Sequence, residues 1–175
     1  QSEQFVSKGK LAVAESGRLS PFLESAQKAK PLDIQNWITA DAASERLFDQ
    51  LKISKLHIAA ANGDVKEIKK QLLNGFDVNL RTKLGHTPLH YAAAHGSVRN
   101  IRYLIKSGAK IETRAKWGDT AMHAATAAAS DDNLKYLMRK GGLKMPRDKN
   151  GLTPLHLAAG FGNVEIVDIL LQLGA

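Results

Sequence analysis

Four histidines are the first residues in this chain whose type and spacing suggest chemistry. His57, His90, His123 and His156 stand 33 residues apart. An imidazole can ligate a metal or carry a proton near neutral pH, and a regular set of four invites both readings. The spacing decides against them. A fixed period of this size places each histidine on its own stacked unit, and packed helices lie about 8–10 Å apart. Zinc–nitrogen bonds are only about 2 Å long, so one ion cannot be shared between neighbouring units. The chain has no cysteine, which excludes thiol catalysis, thiolate ligation and disulfides. Acidic residues are sparse, and no two recur at a spacing that suggests an acid–base pair. There is no glycine-rich phosphate loop and no serine nucleophile elbow. The sequence therefore implies no catalytic, cofactor-binding or metal-binding residue, and no enzyme, within these 175 residues.

The elements that position the histidines repeat with them. Gly75, Gly108, Gly141 and Gly174 share the 33-residue period, as do Thr87, Thr120 and Thr153, and Gly85, Gly118 and Gly151. The clearest copies read Thr-Pro-Leu-His-Tyr-Ala-Ala over residues 87–93 and Thr-Pro-Leu-His-Leu-Ala-Ala over residues 153–159. This word and this period resemble the ankyrin repeat. The resemblance covers residues 55–175 in four copies, about 55–82, 83–115, 116–148 and 149–175. It implies an all-α solenoid in which each repeat is a helix-turn-helix followed by a finger loop. It also implies that the recurring histidine is structural, bonded to its Thr and to loop backbone. Asn79 is the one finger residue that keeps the family's usual Asn, where it helps hold the finger and can be hydroxylated.

Local chemistry agrees with that reading. In each Thr-Pro pair the threonine can cap a short helix, and proline sits at the first helical position, where a missing N–H costs nothing. Gly63, Gly96 and Gly162 should break the first helix through a left-handed turn. Val98, Ile101, Leu104 and Ile105 form the core stripe of a second helix. The third repeat departs from the pattern, with Ala121-Met122 for Pro-Leu and Ala129 in the glycine position. A left-handed Ala costs on the order of 1 kcal/mol, so that turn should be reshaped, with Ser130-Asp131-Asp132 capping the next helix. Pro146 interrupts the finger that follows.

Ahead of the repeats, residues 1–19 read as a flexible start. Residues 20–54 read as a helical N-terminal cap or a worn repeat. Ser20-Pro21 opens one helix, Ile34, Trp37 and Ile38 mark a second, and Asp41 to Lys52 suggest a third. At the other end, Val164 to Leu173 are largely apolar, although a terminal repeat should present a polar outer face. The expectation is a chain that continues past Ala175, as a targeting or regulatory segment of a larger enzyme, channel or secreted effector.

Charge points to partners. Residues 1–54 balance, so the repeats carry the whole formal charge of +8. Lys83, Lys116 and Lys149 recur along the finger edge, beside Arg81, Arg114 and Arg147. The next finger position holds Leu84, Trp117 and Asn150. A large apolar tip residue has no folding reason, and Trp is a frequent interface anchor. Carrying over the family's concave surface adds His86, Asp119 and Leu152 near the fingers, and His95 and Phe161 at the helix ends. The expected function is a protein–protein interaction module, a monomeric scaffold whose concave face and finger tips bind another protein with an acidic surface. The outer helices carry a second basic set, from Lys66 to Lys140. Nucleic acid or anionic lipid is the weaker expectation there, because aromatic residues are not interleaved for base stacking. No cofactor is implied. The absence of cysteine and of any signal or membrane-length segment suggests a cytoplasmic protein.

Overall fold

The computed structural model describes residues 49–141 and 145–175. The expectations for residues 1–48, including most of the N-terminal cap, and for residues 142–144 lie outside the described residues. Eight helices follow in four pairs: α1 (Lys55–Asn62) with α2 (Val65–Leu73), α3 (Pro88–His95) with α4 (Val98–Lys106), α5 (Ala121–Ala127) with α6 (Asp131–Lys140), and α7 (Pro154–Phe161) with α8 (Val164–Gln172). The first helices of the pairs pack side by side, α1 on α3, α3 on α5 and α5 on α7. The second helices form an outer layer in the same order. Among the described residues there is no strand.

The inner layer is close because its side chains are small. Ala59, Ala60, Ala92, Ala93, Ala124, Ala125, Ala158 and Ala159 are buried between neighbouring helices. Leu56, Leu89 and Leu157 join Ile68, Ile101, Leu104, Leu134, Leu137, Ile166 and Leu170 from the outer helices in one continuous core. Each repeat thus buries its apolar face against the next, as stacked units must. The apolar run of α8 is mostly taken inside: Ile166, Val167, Ile169 and Leu170 are buried, and Val164 is 37% exposed.

The inter-helix turns obey two different constraints. Gly63 and Gly162 are left-handed, with φ of 80° and 74°, as the sequence suggests. Gly96 is not, since its backbone is extended. A Cβ there would stand 2.5 Å from the Ala60 carbonyl oxygen. Gly96 is therefore required for the close approach of α1, not for handedness. The reshaping expected at Ala129 is also corrected: Ala129 keeps the left-handed turn, with φ 53°. Ser130 is the N-cap of α6 by position, but its hydroxyl donates to the Ala94 carbonyl at 3.2 Å instead of capping.

Two asparagines sit buried in the outer layer. Asn100 Nδ2 donates to the Ala60 carbonyl at 3.2 Å. Asn133, one period later, donates to the carbonyls of Ala93 and Gly96 at 3.1 and 3.2 Å. These are carbonyls at the end of an inner helix that lack a partner of their own helix. Helices α4 and α6 thereby satisfy the helix end of the preceding repeat.

Candidate functional site

The site is built from the four-residue turns that form the finger tips. In each, an N–H bonds back across the turn: Thr82 to His86 at 2.9 Å, Ala115 to Asp119 at 2.9 Å and Asp148 to Leu152 at 2.9 Å. The tips are then laddered to one another. Lys83 N–H donates to the Leu51 carbonyl at 2.7 Å, Lys116 N–H to Leu84 at 2.9 Å and Lys149 N–H to Trp117 at 2.9 Å. Gly85 and Gly118 make this possible. Both have positive φ, and a Cβ would meet the next tip's backbone nitrogen at 3.1 Å and 2.7 Å respectively.

The ladder separates the two basic columns. Arg81 donates to the Arg114 carbonyl, and Arg114 donates to the Arg147 carbonyl. Arg147 also closes its own turn on the Gly151 carbonyl at 3.1 Å. The arginines are thus spent holding finger to finger. The lysines are not: Lys83, Lys116 and Lys149 are exposed and form no side-chain bond among the described residues. Between their rows, Leu84 and Trp117 are half-buried and Asn150 is exposed. Asn79 ties two fingers at their base, accepting from Lys110 N–H at 2.9 Å and donating to the Gly108 carbonyl at 3.1 Å.

Three residues expected to face a partner are inside. His86 and Asp119 are 1% and 0% exposed, and Leu152 is 4% exposed. The physical reason is stacking: His86 and Asp119 meet each other across two laddered fingers, and Leu152 joins the hydrophobic core. His86 Nε2 stands 2.8 Å from Asp119 Oδ2, so a buried polar pair joins the second and third repeats. Burial pushes the Asp119 carboxyl up, but the His86 hydrogen bond and charge outweigh it and leave the group below its ordinary value. His95 and Phe161 are half-buried at the ends of α3 and α7, with Phe161 packed on the core. Every side chain of α5 is buried, so the third repeat offers only its finger and the half-buried Ala128 at this face.

Three of the periodic histidines, His57, His90 and His123, are held at both ring nitrogens, and His156 is held at Nδ1 by Thr153. In His90, Nδ1 accepts from Thr87 N–H at 3.1 Å and lies 2.9 Å from the Thr87 hydroxyl. Its Nε2 faces the Asp119 carbonyl at 3.3 Å. His57 repeats this with Ser54 and the His86 carbonyl at 3.2 Å, and His123 with Thr120 and the Leu152 carbonyl at 3.0 Å. A ring that accepts at Nδ1 and donates at Nε2 is neutral and has no lone pair left for a metal. Burial lowers His57 to about 4. Burial, then the nearby His86 charge, lowers His90 to about 3. The rings of His57, His90 and His123 each pin their own helix start to the finger turn of the next repeat.

This arrangement of capped helix pairs, laddered fingers and pinned imidazoles agrees with the sequence match. A family model for ankyrin repeats matches residues 56–144 and 111–175, in three copies. The chain belongs to the ankyrin-repeat family. Ankyrin repeats are generally protein–protein interaction modules, so the finger edge is the surface to examine first. No curated protein matches the chain. Among the described residues no helix is long and apolar enough to cross a membrane, and no group of three acidic or imidazole side chains is placed to hold a metal.

A hollow of about 420 Å³ opens between the third and fourth fingers, floored by Ile111, Met122, Met145 and Pro146. Its polar rim includes Arg114, Arg147 and Thr120. The two arginines already bond backbone and Thr120 already bonds His123. The hollow offers shape to an apolar side chain, with Glu112 also in its wall. Sequence reasoning missed Asn100 and Asn133; their shared 33-residue register inside an apolar stripe was the available signal.

Proposed function

We propose that these ankyrin repeats bind an acidic segment of another protein along the finger edge. The observation that carries the reading is the division of labour between the two basic columns. The arginines are consumed by the ladder, while Lys83, Lys116 and Lys149 stand exposed at the same period. Laddered turns fix the lysines in a row before binding, which reduces the ordering cost of recognition. Trp117 and Leu84 lie in the same row of tips and give the surface an apolar centre, the arrangement in which a few residues dominate binding energy. His95 and Phe161 flank it on the helix ends. Charge complementarity then sets the sign of the partner and its rate of approach.

The test is a pull-down with the intact chain and with a Trp117→Ala/Leu84→Ala variant, alongside a glutamate-rich peptide titration. A captured partner should bind the variant at least about thirtyfold more weakly, the scale of a hot-spot loss of 2 kcal/mol. Replacing the three lysines with alanine should slow association and remove its salt dependence. Unchanged affinity with a native melting curve in both variants would reject the finger edge as the binding surface.

A further inference from the structure

The outer helices form a second surface, independent of the fingers. On α2, Lys66, Lys69, Lys70 and Leu73 follow i, i+3, i+4, i+7 spacing and all are exposed, so they share one face. The 33-residue period carries this face across the stack. Lys69, Arg102 and Lys135 form one row, and Lys66 and Arg99 a second that turns acidic on α6 at Asp132. Helices α2, α4 and α6 together hold nine basic residues against three acidic ones. On α8 the first row turns to Asp168 and the second continues acidic at Glu165, so the basic field ends with α6. Among the described residues only Lys70 of this face enters an ion pair, with Glu67 at 3.4 Å. A field of one sign spread over adjacent helices fits an extended anionic surface.

The apolar residues decide which surface. Leu73 is 77% exposed at the end of α2, and Phe76 is 38% exposed just beyond it. The next repeat has Lys106 and the buried Ala109 at these positions. No core contact explains a leucine left so open beside lysines, and a leucine cannot stack on bases. The aromatic residues that the sequence reading did not credit to this face, Tyr103 and Tyr136, are half-buried. The Tyr136 ring already faces Arg102 at 5.7 Å and Lys140 at 6.0 Å. They do not provide the open stacking platform that single-stranded nucleic acid needs. A polybasic face edged by inserted apolar side chains is instead the pattern of attachment to an anionic bilayer, where charge and burial act together.

We propose that the outer face of α2, α4 and α6 docks on an anionic membrane surface, with Leu73 and Phe76 entering the headgroup region. The proposal does not rest on the finger-edge reading, and the two surfaces can be occupied together. The test is co-sedimentation of the full chain with vesicles of phosphatidylcholine, with and without phosphatidylserine. Binding should require phosphatidylserine and fall steeply as salt is raised. An Arg99→Glu/Lys106→Glu variant should bind at least roughly 25-fold more weakly, since each cation at such a surface contributes about fivefold. A Leu73→Trp variant should show a blue-shifted emission on anionic vesicles only. Trp117→Ala should bind vesicles as the parent does, which separates this surface from the fingers. Circular dichroism melts establish that each variant is folded. No binding to phosphatidylserine vesicles at low salt would overturn the proposal, as would binding indifferent to the charge reversal. An unshifted Leu73→Trp emission would overturn the insertion. Retention of a single-stranded RNA oligonucleotide by a chain that ignores vesicles would assign the face to nucleic acid instead.

Discussion

His86 and Asp119 occupy one register position of the repeat, which is Ile53 one period earlier and Leu152 one period later. The same space is thus filled by a polar pair at one junction and by aliphatic groups at others. The pair is fully buried, and Asp119 Oδ1 has no hydrogen-bond partner. Removing one member of a buried pair strands the other, and His86→Ala should therefore cost about 3–5 kcal/mol. Replacing both is a different experiment. An apolar pair of similar volume is often neutral or stabilising, and Leu152 shows that this fold accepts leucine here. We expect His86→Leu/Asp119→Leu to recover most or all of the loss. Urea midpoints of the single and double variants measure it, and a double variant as unstable as the single would show that the pair is needed for more than its own satisfaction.

At the level of the helix pair, the two odd turns make opposite predictions. Ala129 holds φ 53°, a region that disfavours any Cβ, so Ala129→Gly should stabilise the chain by about 1 kcal/mol. Gly96 has a backbone that any residue can adopt but no room for a side chain. Gly96→Ala should force α1 and α3 apart at a cost of about 1–3 kcal/mol. Melting both variants tests the assignment, and a Gly96→Ala protein as stable as the parent would refute the close-approach account. The contrast also shows what could be read from the sequence. The Thr-Pro-Leu-His word and its period were enough for the helix pairs, their starts and the structural histidines, because capping and periodicity are local. The reason for Gly96 is a carbonyl 36 residues away. The burial of His86 and Asp119 likewise depends on the neighbouring finger, and that of Leu152 on the core of the stack. Those facts belong to stacking, which no local pattern encodes. The exposure of Lys83, Lys116 and Lys149 was legible because exposure at a turn is local too.

Across the whole molecule, the histidine column couples stability to pH. His57 and His90 are neutral in the fold, with values lowered to about 4 and about 3 chiefly by burial. Burial also lowers His123, and it lowers the half-buried His95 to about 4. In the unfolded chain each would titrate near 6.5. Below that pH the unfolded chain binds more protons than the folded one, so stability rises with pH through this window. It is fully present above about pH 6.5 and is lost progressively as the pH falls toward the folded values. Asp119 acts in the same direction but only at lower pH, because its carboxyl lies below the ordinary value in the fold. A decline between pH 6.5 and 5 therefore belongs to the imidazoles. The rings of His57, His90 and His123 also tie one repeat to the next, so protonation weakens the junctions on which a stacked array depends. Urea midpoints should fall from pH 7.5 to pH 5, and His90→Gln, which cannot take a proton, should be less stable at pH 7.5 yet show a shallower decline. A midpoint that rises on acidification, or a His90→Gln slope equal to the parent's, would mean that the column does not carry the pH dependence of the fold.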